Sequence, residues 1–445
     1  MDPEATPAEG QDGRHGLCAV TLAVTPGLLA QRLQVMRIDG STHGICTMTH
    51  AQLGYPLDGL KVLDFSRVLA GPFASRMLCD LGADVVKVEP PEGDSTRLWG
   101  KMTAGISGYF NMANAGKRSM SIDLRAEGAS ELVLALAAKA DVVIENFRPD
   151  VMARLGIGYE RLSAINPRLI MLSISGFGRD GPESQRPAYA PIVHAELGLI
   201  DRVLRRDGAR VDLPLSVADT NAGLHGIIAL LSALLMRDRV GLGQHIDIAM
   251  MDATLVCDDQ LHFEIEDAEA TRNLPPDIWD TGVGAILVSV DFRYMWRLLT
   301  TSFGLADPTK ADMDLDAKIF ARRGAVADFM RGLTTWEQVE EAMARMNLAW
   351  GRVRTGKALR DQPTLAFRRS IAEVDDRAGG TRPIAQSPYR FSRARSNVRG
   401  PAPYRGEHNE AVLQGWLGKS HEEAASLLAR GVLGCDEPRG GASDG

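Results

Sequence analysis

Asp219 is the residue in this chain whose setting says most about chemistry. It stands in Val217-Ala218-Asp219-Thr220-Asn221, between an extended apolar segment and a helix expected over Asn221 to Arg237. Leu224, Ile227, Ile228, Leu231, Leu234 and Leu235 recur there at helical spacing. The backbone N–H groups and dipole of a helix N-terminus favour an ionised carboxylate, and an anionic carboxylate so held can be a covalent nucleophile. Aspartate is also among the commonest helix N-caps, so the residue alone supports that plainer reading. Asn146-Phe147-Arg148-Pro149 follows a predicted strand, at the end where open α/β sheets place ligands. Its aromatic face, amide and guanidinium suit a nucleotide with phosphates; alone, it reads more simply as a loop arginine beside a buried phenylalanine.

Other chemistries lack their residues. Glu89 ends a predicted βαβ unit where dinucleotide-binding folds place the acid for a ribose hydroxyl. The preceding loop, Ser66-Arg67-Val68-Leu69-Ala70-Gly71-Pro72, lacks the GxGxxG backbone needed to approach a pyrophosphate. No Walker loop, HExxH or GxSxG occurs, and the nine histidines show no metal-ligand spacing, so no metal is expected.

The elements that must position these residues begin at Leu57. Lys61 to Phe65 reads as a strand, Pro72 to Leu81 as a helix and Asp84 to Glu89 as a strand. Strands at Ser119 to Leu124, Asp141 to Glu145 and Arg168 to Ser175 continue the alternation, with a helix from Glu127 to Lys139. This is the pattern of an α/β domain with a mostly parallel sheet. An acidic, proline-interrupted stretch from Asp258 to Asp280 marks a boundary. A smaller mixed domain follows, with a strand at Ala285 to Phe292 and helices near Tyr294 to Phe303, Ala325 to Leu333 and Trp336 to Met346. A last helix is expected from Glu407 to Leu417. Residues 1–54 are expected to be a poorly ordered extension, and residues 431–445, rich in Gly, Ser and Asp, a mobile tail.

With 445 residues the chain allows two or three domains. Fifty Lys plus Arg against 57 Asp plus Glu leave a net charge of −7, which gives no general footprint for nucleic acid or an anionic membrane. An anionic ligand must therefore meet a local basic cluster. The five cysteines are scattered without a CxxC pair, which favours a reducing, cytoplasmic setting. The apolar stretch Gly16 to Ala30 follows Asp2, Glu4, Glu9 and Asp12 and contains Pro26, which suits neither a signal peptide nor a membrane span.

Ordered motifs connect these readings. Leu57 to Arg67 with Ala70-Gly71-Pro72, Gly82 to Pro90, Asn114 to Ser119, Asp141 to Pro149, Leu155-Gly156, Asn166 to Ile170, Ser175 to Gly178 and Gly241 to Asp252 resemble, in this order, the family III CoA-transferases. That group includes formyl-CoA transferase, carnitine CoA-transferase and α-methylacyl-CoA racemase. The resemblance is strong over about residues 56–255 and weak to about 430. It implies a Rossmann-like large domain over residues 55–270, completed by about 385–430, a smaller α+β domain over 280–384, and two subunits interlocked as a homodimer. It also implies that Asp219 attacks an acyl-CoA thioester and passes CoA to a carboxylate. Positions matching the family's CoA contacts are Leu69, Ala70, Ile122, Leu124, Arg125, Asn146, Phe147, Arg148, Arg154, Arg186 and Tyr189. The four arginines would meet the CoA phosphates.

Three departures from the family pattern stand out. Leu69 replaces the glutamine of formyl-CoA transferases, and Ala190 replaces a carboxylate. The racemase branch carries histidine then aspartate where this chain has Tyr189 and Ala190, and His194, further on, reads more readily as structural. The glycine-rich loop of some members is reduced to Gly282 and Gly284. A racemase or isomerase and a catalytically silent CoA-binding homologue therefore remain the alternatives.

Overall fold

Successive residues of Lys61–Asp64 (β1) face opposite ways, Val62 into one apolar core and Leu63 into another. That is the two-residue period of a strand covered on both faces. β2 (Asp84–Glu89), β3 (Arg118–Ile122), β4 (Val142–Glu145), β5 (Ile170–Ser175) and β6 (His245–Ala249) continue the chain's strands. The computed structural model describes residues 54–266 and 277–436. In it these strands form a parallel sheet in the order β3-β2-β1-β4-β5-β6. Strand succession runs outward in both directions from β1, so a crevice opens between the carboxyl ends of β1 and β4, where such sheets place ligands.

One face of the sheet is covered by α1 (Ala70–Asp80), α2 (Ala190–Glu196) and α3 (Val217–Val240). Ala74, Leu78, Ala222, Ile227 and Leu230 pack there with Val62, Val142 and Leu172. α3 starts four residues before the expected Asn221. The expected apolar stripe packs in part: Ile227 is buried and Leu231 and Leu234 lie half-buried against the same core, whereas Leu224, Ile228 and Leu235 are exposed and Ala222, Gly223, Gly226, Leu230 and Ala233 complete the packed face. The helix is apolar nearly all round, and its small residues are what let it approach the sheet. By length and composition α3 could also cross a membrane; here one face packs on α1 and the sheet.

Helices Ala129–Ala137, Asn409–Leu417 and His421–Ala429 contribute to the other core, where Val412, Leu413 and Trp416 pack with Leu63, Val86 and Val143. The end of the chain thus completes the large unit. It does so further than expected, because residues 431–436, read from composition as mobile, are ordered into the fold. Leu433–Gly434 (β7) pairs antiparallel with β3, Asp123 N–H donates to Val432 O at 3.0 Å, and Val432 and Leu433 are buried. Apolar Val432-Leu433 is the part of that segment that composition averaged away. The extension expected over residues 1–54 lies outside the described residues, apart from Gly54, as does 437–445.

Residues 277–352 form an antiparallel sheet of Asp277–Thr281, Gly284–Val288 and Trp350–Arg352. Helices Phe292–Phe303, Leu315–Arg331 and Trp336–Met346 cover it around Ile286, Leu299, Val326 and Met343. The hairpin Ile371–Asp375 and Thr381–Ala385, expected inside the smaller domain, packs instead with Ala115 and Val398 of the large unit. Arg76 fixes it there by donating to Ala385 O at 3.1 Å.

Candidate active site

Asp219 is the third residue of α3, not its cap: Ser216 occupies the N-cap position. The carboxylate is 8% exposed. Facing it are the backbone N–H groups of Ala190 and Ala70, the first residues of α2 and α1. The N-termini of α1 and α2 therefore converge on a carboxyl group that itself stands in the first turn of α3, each presenting an amide and the positive end of its dipole. Burial pushes the Asp219 carboxyl up to about 6, while the two amides and His194 act in the opposite direction. The result is a carboxylate ionised at neutral pH but more basic than an exposed aspartate, as a nucleophile requires.

The approach of α1 to α3 depends on a missing side chain. A Cβ on Gly223, one turn beyond Asp219, would stand 2.9 Å from the carbonyl oxygen of Ala70. Two aromatic residues not singled out from sequence lie close by. Half-buried Tyr109 has its hydroxyl pKa raised by burial and by the charge of Asp219, and its ring meets Trp99 edge-on at 5.2 Å.

Asp219 opens into a cavity of about 190 Å³ at the β1/β4 crevice. Ala70, Asn146, Phe147, Arg148, Arg186 and Tyr189, all expected from sequence, line it. Leu69 is buried beside it as the N-cap residue of α1. The other expected contacts lie elsewhere. Ile122 is fully buried and paired with Leu433, so its side chain is closed to any ligand. Leu124 packs against the core of the Asn409–Leu417 face. Arg125, just beyond β3, and Arg154, ending the short helix Val151–Arg154, are exposed and outside the cavity lining. Arg186 bonds Glu183 at 2.7 Å and pairs with Glu196, so its charge is balanced locally. Arg67, unassigned from sequence, stands over the Phe147 ring at 5.4 Å with no ion pair among the described residues. Its place at the end of β1, beside the crevice, was the available signal.

The remaining sequence candidates are accounted for structurally. Glu89 is 1% exposed, paired with Arg97 at 2.6 Å and bonded by Ser119 Oγ at 3.0 Å, so it is closed to a ribose. This agrees with the absence of a GxGxxG loop before it: Glu89 is a structural acid at the end of its strand. His194 is fully buried with Nδ1 3.3 Å from Asp212. Gly282 and Gly284 lie in a hairpin turn against Thr334 and Trp336, not in the cavity lining. Among the described residues no group of three or more His, Cys, Asp or Glu gathers as a metal site.

Comparison with known proteins agrees with this geometry. The chain is 32% identical over 381 residues to the succinate–glutarate CoA-transferase of Agrobacterium fabrum, covering 80% of this chain and 95% of that protein. It is 46% identical over 202 residues to the acetyl-CoA:oxalate CoA-transferase of Acetobacter aceti, a match spanning 45% of this chain and 52% of that protein. The crystal structure of a CAIB/BAIF family protein from Brucella suis superposes with a TM-score of 0.71 at 33% identity, covering 81% of this chain and 99% of the other. The model of CoA-transferase family III matches residues 57–409, and this chain belongs to that family, a CoA-transferase built on a mostly parallel α/β sheet.

Proposed function

We propose that the enzyme moves CoA from an acyl-CoA thioester to a carboxylic acid, with Asp219 as covalent nucleophile. The observation that carries this is the buried Asp219 carboxylate, faced by the Ala70 and Ala190 amides at the mouth of the crevice. An Asp219 oxygen attacks the thioester carbonyl and expels CoA thiolate, leaving an aspartyl acyl anhydride. The thiolate attacks the aspartyl carbonyl, releasing the donor's carboxylate and forming an aspartyl-CoA thioester. The acceptor carboxylate attacks that thioester and frees the thiolate again. Attack of the thiolate on the new acyl carbonyl yields the product thioester and regenerates Asp219. The two amides supply hydrogen bonds to the oxygen that gains charge at each step.

Arg67 and Arg148 at the crevice, with Arg125 and Arg154 beyond it, supply the cations for the CoA phosphates. β3 and β4 lie three strand spacings apart, about 14 Å, so Arg125 and Asn146 mark out a track of the length an extended ligand needs. The named activities of the relatives point to short dicarboxylates as acceptors. The working form is a homodimer with interlocked subunits, supported by the exposed Ile228, Leu235, Val256 and Ile265 around α3. The scattered cysteines, of which Cys79, Cys257 and Cys435 are free, support a cytoplasmic setting.

Trapping with hydroxylamine or borohydride during turnover of an acyl-CoA panel is expected to mark the peptide containing Asp219. Asp219→Asn should lose both adduct and turnover while CoA affinity stays nearly unchanged. Exchange of a substrate α-hydrogen with solvent and no adduct would point to a racemase. Bound CoA with neither activity would point to a silent homologue. Sedimentation at micromolar concentration should show dimers only.

A further inference from the structure

The Ala70 N–H faces Asp219 only because the chain turns sharply between β1 and α1, over Ser66 to Leu69. The turn is strained: Val68, a β-branched residue, has φ +65°, a region such side chains rarely enter unless their surroundings impose it. Those surroundings are four side chains from outside the turn, of which Asp64, ending β1, accepts from the Ser66 N–H at 3.0 Å. Lys87, in β2, donates from Nζ to Ser66 O at 2.8 Å. Asn146, just past β4, grips Arg67 at both ends, accepting from its N–H at 2.7 Å and donating to its carbonyl at 2.8 Å. Asp94 accepts from the Val68 N–H through Oδ2 at 3.3 Å. Lys87 and Asp94 are themselves paired at 3.1 Å, with side chains each 1% exposed.

A wholly buried ion pair is a poor source of stability, since desolvation offsets most of its attraction. This one is kept charged: despite burial, Lys87 and the bonds from Thr96 hold Asp94 at about 2. The pair reaches the turn at Ser66 O and at the Val68 N–H, while the other oxygen of Asp94 caps the helical turn Ser95–Leu98 through Thr96 at 3.0 Å; neither side chain reaches a substrate-accessible surface. Resting on the reading of Asp219 as nucleophile, we infer that the Lys87–Asp94 pair, together with Asn146, positions the Ala70 amide against the Asp219 carboxylate. These are positioning residues, reaching the reaction through the backbone of Ser66, Arg67 and Val68. Releasing any grip lets the turn relax toward ordinary backbone angles and withdraws one of the two amides facing the nucleophile.

The test reads the ionisation of Asp219 directly, by carbon-13 NMR of aspartate-labelled protein with the signal assigned by its absence in Asp219→Asn. Besides the two amides, the titratable groups facing this carboxylate are His194 from α2 and Tyr109 from the helix Gly108–Asn114, and all variants leave them in place. Asn146→Ala is a suitable first variant because the site is half-buried. Lys87→Met/Asp94→Asn removes the pair without stranding a buried charge. Because the Ala70 amide lowers the pKa of Asp219, its withdrawal should move the titration midpoint upward from about 6. In parallel, kcat should fall by about tenfold or more, as for loss of one oxyanion donor. For the double variant KM for the acyl-CoA should stay within about twofold, since neither residue reaches the crevice. A purely structural role would lower melting temperature and leave the midpoint in place, and an unmoved midpoint in both variants overturns the inference. The two readings fail separately. Wild-type protein that forms no Asp219 adduct sinks the nucleophile assignment, whereas a normal adduct with an unmoved midpoint sinks only the positioning role.

Discussion

Gly223 and Ala70 touch where no side chain could intervene. A Cβ at residue 223 would lie 2.9 Å from the Ala70 carbonyl oxygen and 2.9 Å from the Phe73 ring. The contact is made of rigid backbone on one side, and it brings α1 and α3 together one turn from Asp219. Gly223→Ala should therefore push the helices apart, costing roughly 1–3 kcal/mol as overpacking does. Turnover should drop more than the loss of folded protein accounts for. Calorimetry and kcat measured on the same sample check this; full activity with an unchanged melting temperature would show that the helices have slack.

The environment that makes Asp219 useful also strains the fold. Its folded pKa of about 6 lies above the ordinary 3.8, so the native state holds a proton more tightly than the unfolded chain does. Ionising this group costs stability as pH rises between about 4 and 6, and the full cost is present at pH 7. At about 1.4 kcal/mol per unit this amounts to roughly 3 kcal/mol, an upper figure. Asp219→Asn is accordingly expected to raise the melting temperature at pH 7 and to lose that advantage below pH 4. Thermal unfolding across pH tests the sign, and a destabilised variant at pH 7 contradicts it.

On the proposed mechanism the same group sets the acid limb of turnover. Activity should fall as pH drops through about 6, as Asp219 becomes protonated and loses its nucleophilic lone pair. A kcat/KM profile flat from pH 5 to 8 would mean that this carboxyl is not the ionising nucleophile.

Deeper in the sheet, Lys117 and Asp64 form an ion pair at 2.9 Å with no exposure on either side chain. Lys117 also donates to Pro72 O at 3.1 Å, anchoring the first turn of α1. Lys117→Met strands a buried carboxylate, and the expected loss is about 3–5 kcal/mol. Denaturant titration reads it directly, and a loss under about 1 kcal/mol would show that Asp64 takes up a proton or another partner.

The sheet was legible in the sequence because its strands, β1 and β2 among them, are short β-branched runs separated by helical spacing. Asp219 was found on its setting, yet its role as third residue of α3 was not, because Leu213, Pro214 and Leu215 read as extended chain and Ser216 makes no side-chain cap. Of the apolar residues expected along one face of α3, Ile227, Leu231 and Leu234 meet the core and Leu224, Ile228 and Leu235 do not; Gly223 and Gly226, which no apolar spacing marks, make the close approach. At the crevice, Arg186 looked like a free cation because Glu196, ten residues on, becomes its partner only when α2 forms. Arg67 was passed over because nothing in one sequence shows that Asn146, 79 residues away, will grip its backbone.

The pairing of Leu433–Gly434 with β3 has a consequence for synthesis. Val412, Leu413, Trp416 and Leu433 belong to the same core as Leu63 and Val86, so a growing polypeptide leaves that face of the sheet bare until residues 412–433 have left the ribosome. The insert at 277–352, with a core of its own, can close while the surface awaiting the C-terminus stays uncovered. A premature stop between residues 219 and 433 would release a protein with Asp219 already encoded and one flank of its sheet open, a product for chaperones and proteases rather than a weakened enzyme.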